Sequence, residues 1–149
     1  MEDPAALARR LILATTRMDG AYYYFARRSG VPENLLALFY ALADGKPHSQ
    51  KEICEDWLIP KTTVNTVVRE QVAAGHMTLR AGEGREKIIC LTETGRAYAD
   101  RAISALCAAE RAAAERTMAK HGAQFVAAVE DFTDALWNEY EARLERPKE

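Results

Sequence analysis

The chain has 149 residues, 48% of them hydrophobic and 28% charged, with a formal net charge of −2. Those proportions exclude a disordered chain. The longest apolar run, from Leu35 to Ala43, is too short for the about 20 residues that a bilayer-spanning helix needs.

The opening residues Met1, Glu2, Asp3 and Pro4 are acidic where a secretory signal is basic. Three cysteines (Cys54, Cys90 and Cys107) are odd in number and widely spaced, as in reduced cytosolic proteins rather than disulfide frameworks. A cytoplasmic protein without a membrane partner is therefore expected. Residues 46–95 carry seven basic and seven acidic side chains. With no basic tail, any nucleic-acid binding rests on a few well-placed cations.

Asp3 and Pro4 read as the N-cap and first turn of a helix. Leu7, Leu11, Ala14, Met18, Tyr22 and Phe25 then recur at three- and four-residue steps over about six turns. Gly30 and Pro32 stop it. A second helix over 33–43 is apolar on most of its surface and is expected at the centre of the core. Asp44 and Gly45 close it, with the glycine left-handed.

Ser49 and Glu52 form the two ends of a capping box, opening a short helix that Pro60 ends. Residues 61–74 are rich in β-branched side chains, which favours a strand. Their spacing says otherwise: Val64, Val67, Val68 and Val72 fall on one helical face. The propensity loss, at most ~0.7 kcal/mol per residue, is outweighed by the roughly 1.5–3 kcal/mol from burying each valine. Gly75 ends this helix.

Residues 77–81 and 87–92 alternate around Gly82, Glu83 and Gly84, predicting a two-stranded hairpin. A lone hairpin is marginal, so it must lean on the preceding helices. Thr92 caps a long helix running to about Met118, and a last helix carries Phe125, Val129, Phe132, Leu136, Tyr140 and Leu144 at helical steps.

Two short helices and then a hairpin make a winged helix-turn-helix. Within it, Glu83, Arg85, Lys87, Leu91, Thr92 and Gly95 follow the pattern of acidic, any, Arg, any, Lys, three residues, Leu-Thr, two residues, Gly. This stretch resembles the wing of the MarR family of bacterial transcriptional regulators. The segment from Pro60 to Arg69, closing at Gly75, is similar to the family's recognition helix. Three departures stand out: Glu83 replaces an aspartate, Gly84 a residue often basic, and Gln71 a buried leucine.

The resemblance covers nearly the whole chain. It implies a mainly α protein with a small β-hairpin wing, of α+β class: a winged helix-turn-helix core with N- and C-terminal dimerisation helices. Residues 1–30 form the N-terminal dimerisation helix, 31–95 the DNA-binding region and 96–149 the C-terminal dimerisation helices of one protomer. The implied function is a repressor that binds a pseudo-palindromic duplex operator as a homodimer and is released by a small molecule.

Opposite the valines lie Lys61, Thr62, Thr63, Asn65, Thr66 and Arg69. Asparagine pairs bidentately with adenine, arginine with guanine, and threonine methyls touch thymine, each good bidentate contact discriminating by roughly 1–3 kcal/mol. Ser49, Gln50 and Lys51 are placed near phosphates at a helix N-terminus. Arg85, steadied by Glu83 and flanked by Lys87, suits a minor groove. Between Ala41 and Ala97 the only Phe, Tyr or Trp is Trp57, so the surface lacks the stacking platform of single-strand binders. Duplex DNA is the expected partner.

The stripe from Phe125 to Leu144, with Leu7 and Leu11, supplies a symmetric interface. Tyr22, Tyr23, Tyr24 and Phe25, consecutive on one helix, cannot all face one core, so at least one is expected to line a cleft or an interface. Tyr22, Tyr23, Arg27 and Tyr40 are the candidates for a small aromatic or lipophilic effector, which in this family is often an anion. The cysteines read as small buried residues. No cofactor or metal is expected, and no nucleotide-cradling or nucleophile motif points to an enzyme. A winged module that binds only protein is the alternative; it leaves the cations without phosphates and indifferent to salt.

Overall fold

The computed structural model describes residues 2–144. Met1 and residues 145–149, the outer ends of the expected terminal segments, lie outside the described residues. Helix α1 covers Pro4–Ser29, α2 Glu33–Ala41, α3 Gln50–Asp56 and α4 Lys61–Ala73. Strand β1 is His48–Ser49, β2 Met77–Ala81 and β3 Lys87–Leu91; helices α5 (Glu93–His121) and α6 (Gln124–Leu144) follow. The fold is mainly α with a small antiparallel wing, as expected. By internal contacts the chain divides into two units, one reaching to Leu106 and the other starting at Cys107.

Local chemistry sets the boundaries. The Ala5 amide donates to the Asp3 carboxylate at 3.2 Å, and α1 closes on Gly30 at φ +72°. Ser49 and Glu52 complete their capping box: the Glu52 amide donates to the Ser49 hydroxyl at 3.1 Å, and the Ser49 amide to the Glu52 carboxylate at 2.7 Å. Residues 61–73 are helical, so burial of the valine face outweighs β-propensity. That face is narrower than the spacing implies: Val64 and Val68 are buried, Val67 is half-buried and Val72 is exposed.

In the first unit α2 is central. Leu35, Leu36, Leu38, Phe39 and Ala41 are all buried, against Ile53 of α3, Val64 and Val68 of α4, Met77 of β2, Ile89 of β3 and Ala99 and Ile103 of α5. Phe39 is wholly enclosed and meets the Tyr98 ring edge-on with centroids 5.0 Å apart.

The hairpin is not alone. β1 pairs antiparallel with β3 (His48 opposite Ile89, Ser49 opposite Ile88), giving a three-stranded sheet in the order β1-β3-β2. Two residues are too few to announce a strand by alternation. The pairing nevertheless ties the wing to the start of α3. Asp44, ahead of β1, accepts from the Lys46 amide at 2.9 Å and from His48 Nε2 at 2.9 Å. The Lys46 amide first, and then His48, hold its carboxyl below the usual value.

In the second unit no residue of α6 is buried. Phe125, Val129, Phe132 and Leu136 are half-buried along one stripe, and Tyr140 and Leu144 are exposed.

Candidate nucleic-acid interface

The N-termini of α3 and α4 and the wing tip border one groove of about 700 Å³. Gln50 and Lys51 enter it from α3, Lys61 and Asn65 from α4, and Arg85 and Lys87 from the wing. Residues separated by up to 37 positions thus meet on one face because β3 lies between β1 and β2 while β1 leads directly into α3. Cys54, Glu55 and Glu86 complete the lining. The sequence gives no sign of these three, since each faces the groove only through the packing of α3 and the wing. Glu55 pairs with Lys51 at 3.8 Å between exposed side chains. A pair of this kind contributes ~0–1 kcal/mol, so Lys51 is readily surrendered to another anion.

Other candidates lie outside the groove. Thr62, Thr66 and Arg69 are exposed along α4, and Thr63 is half-buried. The Thr66 hydroxyl donates to the Thr62 carbonyl at 2.9 Å, which leaves its methyl as the group offered outward.

Ser49 requires correction. It is fully buried and its hydroxyl caps α3, so it positions Gln50 and Lys51 and does not itself reach a phosphate. Glu83 requires another. Among the described residues its carboxylate makes no ion pair with Arg85. Its carbonyl instead accepts from the Glu86 amide at 3.0 Å, and the Gly82 amide donates to the Glu86 carbonyl at 2.9 Å. The turn is held by backbone, leaving the Arg85 guanidinium exposed. Gly84 sits at φ +58°, a left-handed conformation that a basic residue adopts only with strain. Gln71 is half-buried and its Oε1 lies 2.8 Å from His76 Nδ1, so the amide in the place of a leucine is partnered.

The other end of the wing motif is equally specific. The Thr92 hydroxyl donates to the Gly75 carbonyl at 2.7 Å and accepts from the Gly95 amide at 3.0 Å, while the Thr92 amide donates to the His76 carbonyl at 3.0 Å. One threonine thereby caps α5 and anchors the strand leaving the wing to the turn after α4.

The chain is 27% identical to a MarR family regulator from Neisseria meningitidis of known structure, with a TM-score of 0.70 over 97% of both chains. The chain has the fold of the MarR family of transcriptional regulators. A MarR family transcriptional regulator from Silicibacter pomeroyi superposes with a TM-score of 0.68 at 18% identity, covering 87% of this chain and 94% of that one. The MarR protein of Staphylococcus aureus, solved in complex with salicylate and kanamycin, matches at TM-score 0.55 and 12% identity over 95% of each chain. No family model and no curated protein sequence matches the chain.

A second cavity, of about 570 Å³, lies within the first unit. Tyr22 and Tyr23 of α1 and Tyr40 of α2 line it. Arg27 does not; it borders an adjoining hollow that shares Ala26 and Glu33 with the cavity, with its guanidinium 5.8 Å from the Tyr23 ring centre. Trp57, Asp19 and Glu33 join the cavity wall and were not singled out by the sequence.

All three cysteines are free and half-buried rather than enclosed. Burial first, and then Glu110, raises the Cys107 thiol above its ordinary value. Among the described residues no helix is long and apolar enough to cross a membrane.

Proposed function

We propose that this chain is a MarR-family regulator, a cytoplasmic repressor that binds duplex DNA as a homodimer and is released by a small-molecule ligand. The observation that carries DNA binding is the groove in which Lys51, Lys61, Arg85 and Lys87 converge with Gln50 and Asn65. Lys61 and Asn65 enter a major groove with α4, Gln50 and Lys51 hold the adjacent phosphates at the start of α3, and Arg85 reaches a neighbouring minor groove. Thr62, Thr63, Thr66 and Arg69 extend the reading face along α4.

One such footprint is small, and two copies double it. Apolar side chains left at the surface support self-association: Leu7, Ile12 and Leu13 on α1 in the first unit, and Val126, Trp137, Tyr140 and Leu144 on α6 in the second. The tyrosine-lined cavity is where a ligand would act.

Selecting duplex fragments from a pool of genomic DNA, followed by footprinting, tests the reading. The expected outcome is protection of two half-sites about 34–36 Å apart. Failure to enrich any duplex favours the protein-binding alternative.

A further inference from the structure

We propose that the cavity between α1 and α2 takes an organic monocation, an aromatic or lipophilic amine or quaternary ammonium, rather than the anions suggested by family resemblance. The inference rests on the ligand response proposed above and adds the charge of the ligand.

The two helices present matching faces to the cavity. From α1 come Asp19, Tyr22, Tyr23 and Ala26, and from α2 Glu33, Leu36, Ala37 and Tyr40. Each set is spaced i, i+3, i+4, i+7, one side of a helix with a carboxylate leading it. Trp57 closes the aromatic wall. Its ring stands edge-on to Tyr40 with centroids 5.4 Å apart, and Tyr40 stands edge-on to Tyr22 at 6.4 Å. The volume, about 570 Å³, falls in the range of small-molecule sites, roughly 300–1,000 Å³.

The charge of the wall decides the class. Asp19 and Glu33 line the cavity and no cationic side chain does. Among the described residues neither carboxylate is in an ion pair. Of the nearby arginines of α1, Arg27 stays outside the wall, with its guanidinium 5.8 Å from the Tyr23 ring centre, and Arg28 lies 4.4 Å from that of Tyr24. An aromatic carboxylate entering here would meet two like charges and no cationic side chain on the wall. An ammonium would meet those carboxylates and the negative faces of the rings.

The test uses three probes that share a benzyl group and differ in charge: benzyltrimethylammonium, benzyl alcohol and phenylacetate. Binding is read from Trp57 fluorescence in the full chain carrying Trp137→Phe, which leaves Trp57 as the only indole. The expected result is affinity for benzyltrimethylammonium at least tenfold tighter than for the other two. The Asp19→Asn/Glu33→Gln double variant should lose that preference while binding benzyl alcohol unchanged, which a merely structural role for the two acids does not predict. Phenylacetate or benzyl alcohol binding as tightly as the cation overturns the charge inference and leaves the ligand site standing. A cation preference that survives in the double variant overturns the assignment to these two carboxylates. No binding of any probe removes the ligand response and the inference together, without touching DNA binding.

Discussion

Gly95 lies so close to His76 that a methyl built on it overlaps the His76 carbonyl oxygen and comes within 2.7 Å of the carbonyl carbon. The obstacle is backbone, which a rotamer change cannot relieve. That same carbonyl accepts from the Thr92 amide, so moving it aside breaks the joint between the wing and α5. Gly95→Ala is expected to destabilise the protein by about 3 kcal/mol or more, from overpacking plus a lost hydrogen bond. Denaturant unfolding measures the loss directly. Wild-type stability in the variant would mean that the approach is not tight.

Leu58 is the one residue other than glycine with positive φ among the described residues, at +51°. It sits in the turn between α3 and α4 and is 73% exposed, so little packing compensates for the strain. A left-handed conformation costs an L-residue roughly 1–2 kcal/mol, and glycine's extra freedom in the unfolded chain returns about 0.5–1 kcal/mol of that. Leu58→Gly should therefore raise stability by ~0.5–1 kcal/mol, seen as an upward shift in the urea midpoint at constant slope.

Asp44 makes the turn before β1 sensitive to acid. Its carboxyl is held below the ordinary value of 3.8 by the Lys46 amide and His48. Its contribution is thus fully present above about pH 4 and is lost as pH falls through the lowered folded value. Asp44→Asn should be less stable than wild type at neutral pH, with the gap closing below pH 4. Thermal melts of both proteins between pH 6 and 2.5 check the sign; a gap that widens on acidification contradicts it.

The apolar side chains of α6 predict self-association. Sedimentation at micromolar concentration should give twice the 16.6 kDa chain mass. Leu136→Asp places a charge in the half-buried stripe and should shift the population toward monomer. A wild-type monomer at that concentration removes the interface.

Most of the helices can be read from the chain because their signals are local. The Asp3 cap, the Ser49–Glu52 box and the left-handed Gly30, Gly45 and Gly75 each fix a boundary within a few residues. β1 is too short for a periodic signal and exists only because β3 offers it a partner. The interface shows the same division. The cations on α3, α4 and the wing are recognisable by residue type and spacing. Ser49 misleads because a capping hydroxyl and a phosphate-binding hydroxyl look alike until burial separates them. Glu83 misleads because resemblance supplies a side-chain partner for Arg85 where this turn uses the backbone. The cavity's charge was open to view in Asp19 and Glu33, but only the packing of α1 on α2 puts both acids on one wall.

The most direct test of the account is the affinity of the wild-type chain and of Arg85→Ala for the selected genomic duplex, measured across salt concentration. If some 6–10 phosphates are contacted, wild-type binding should fall by about 10³–10⁵ between 50 and 200 mM salt. Arg85→Ala should bind more weakly, with a shallower salt slope and an unchanged unfolding midpoint. A flat salt profile, or Arg85→Ala indistinguishable from wild type, would contradict the assignment of the groove between α3, α4 and the wing as the DNA-binding surface.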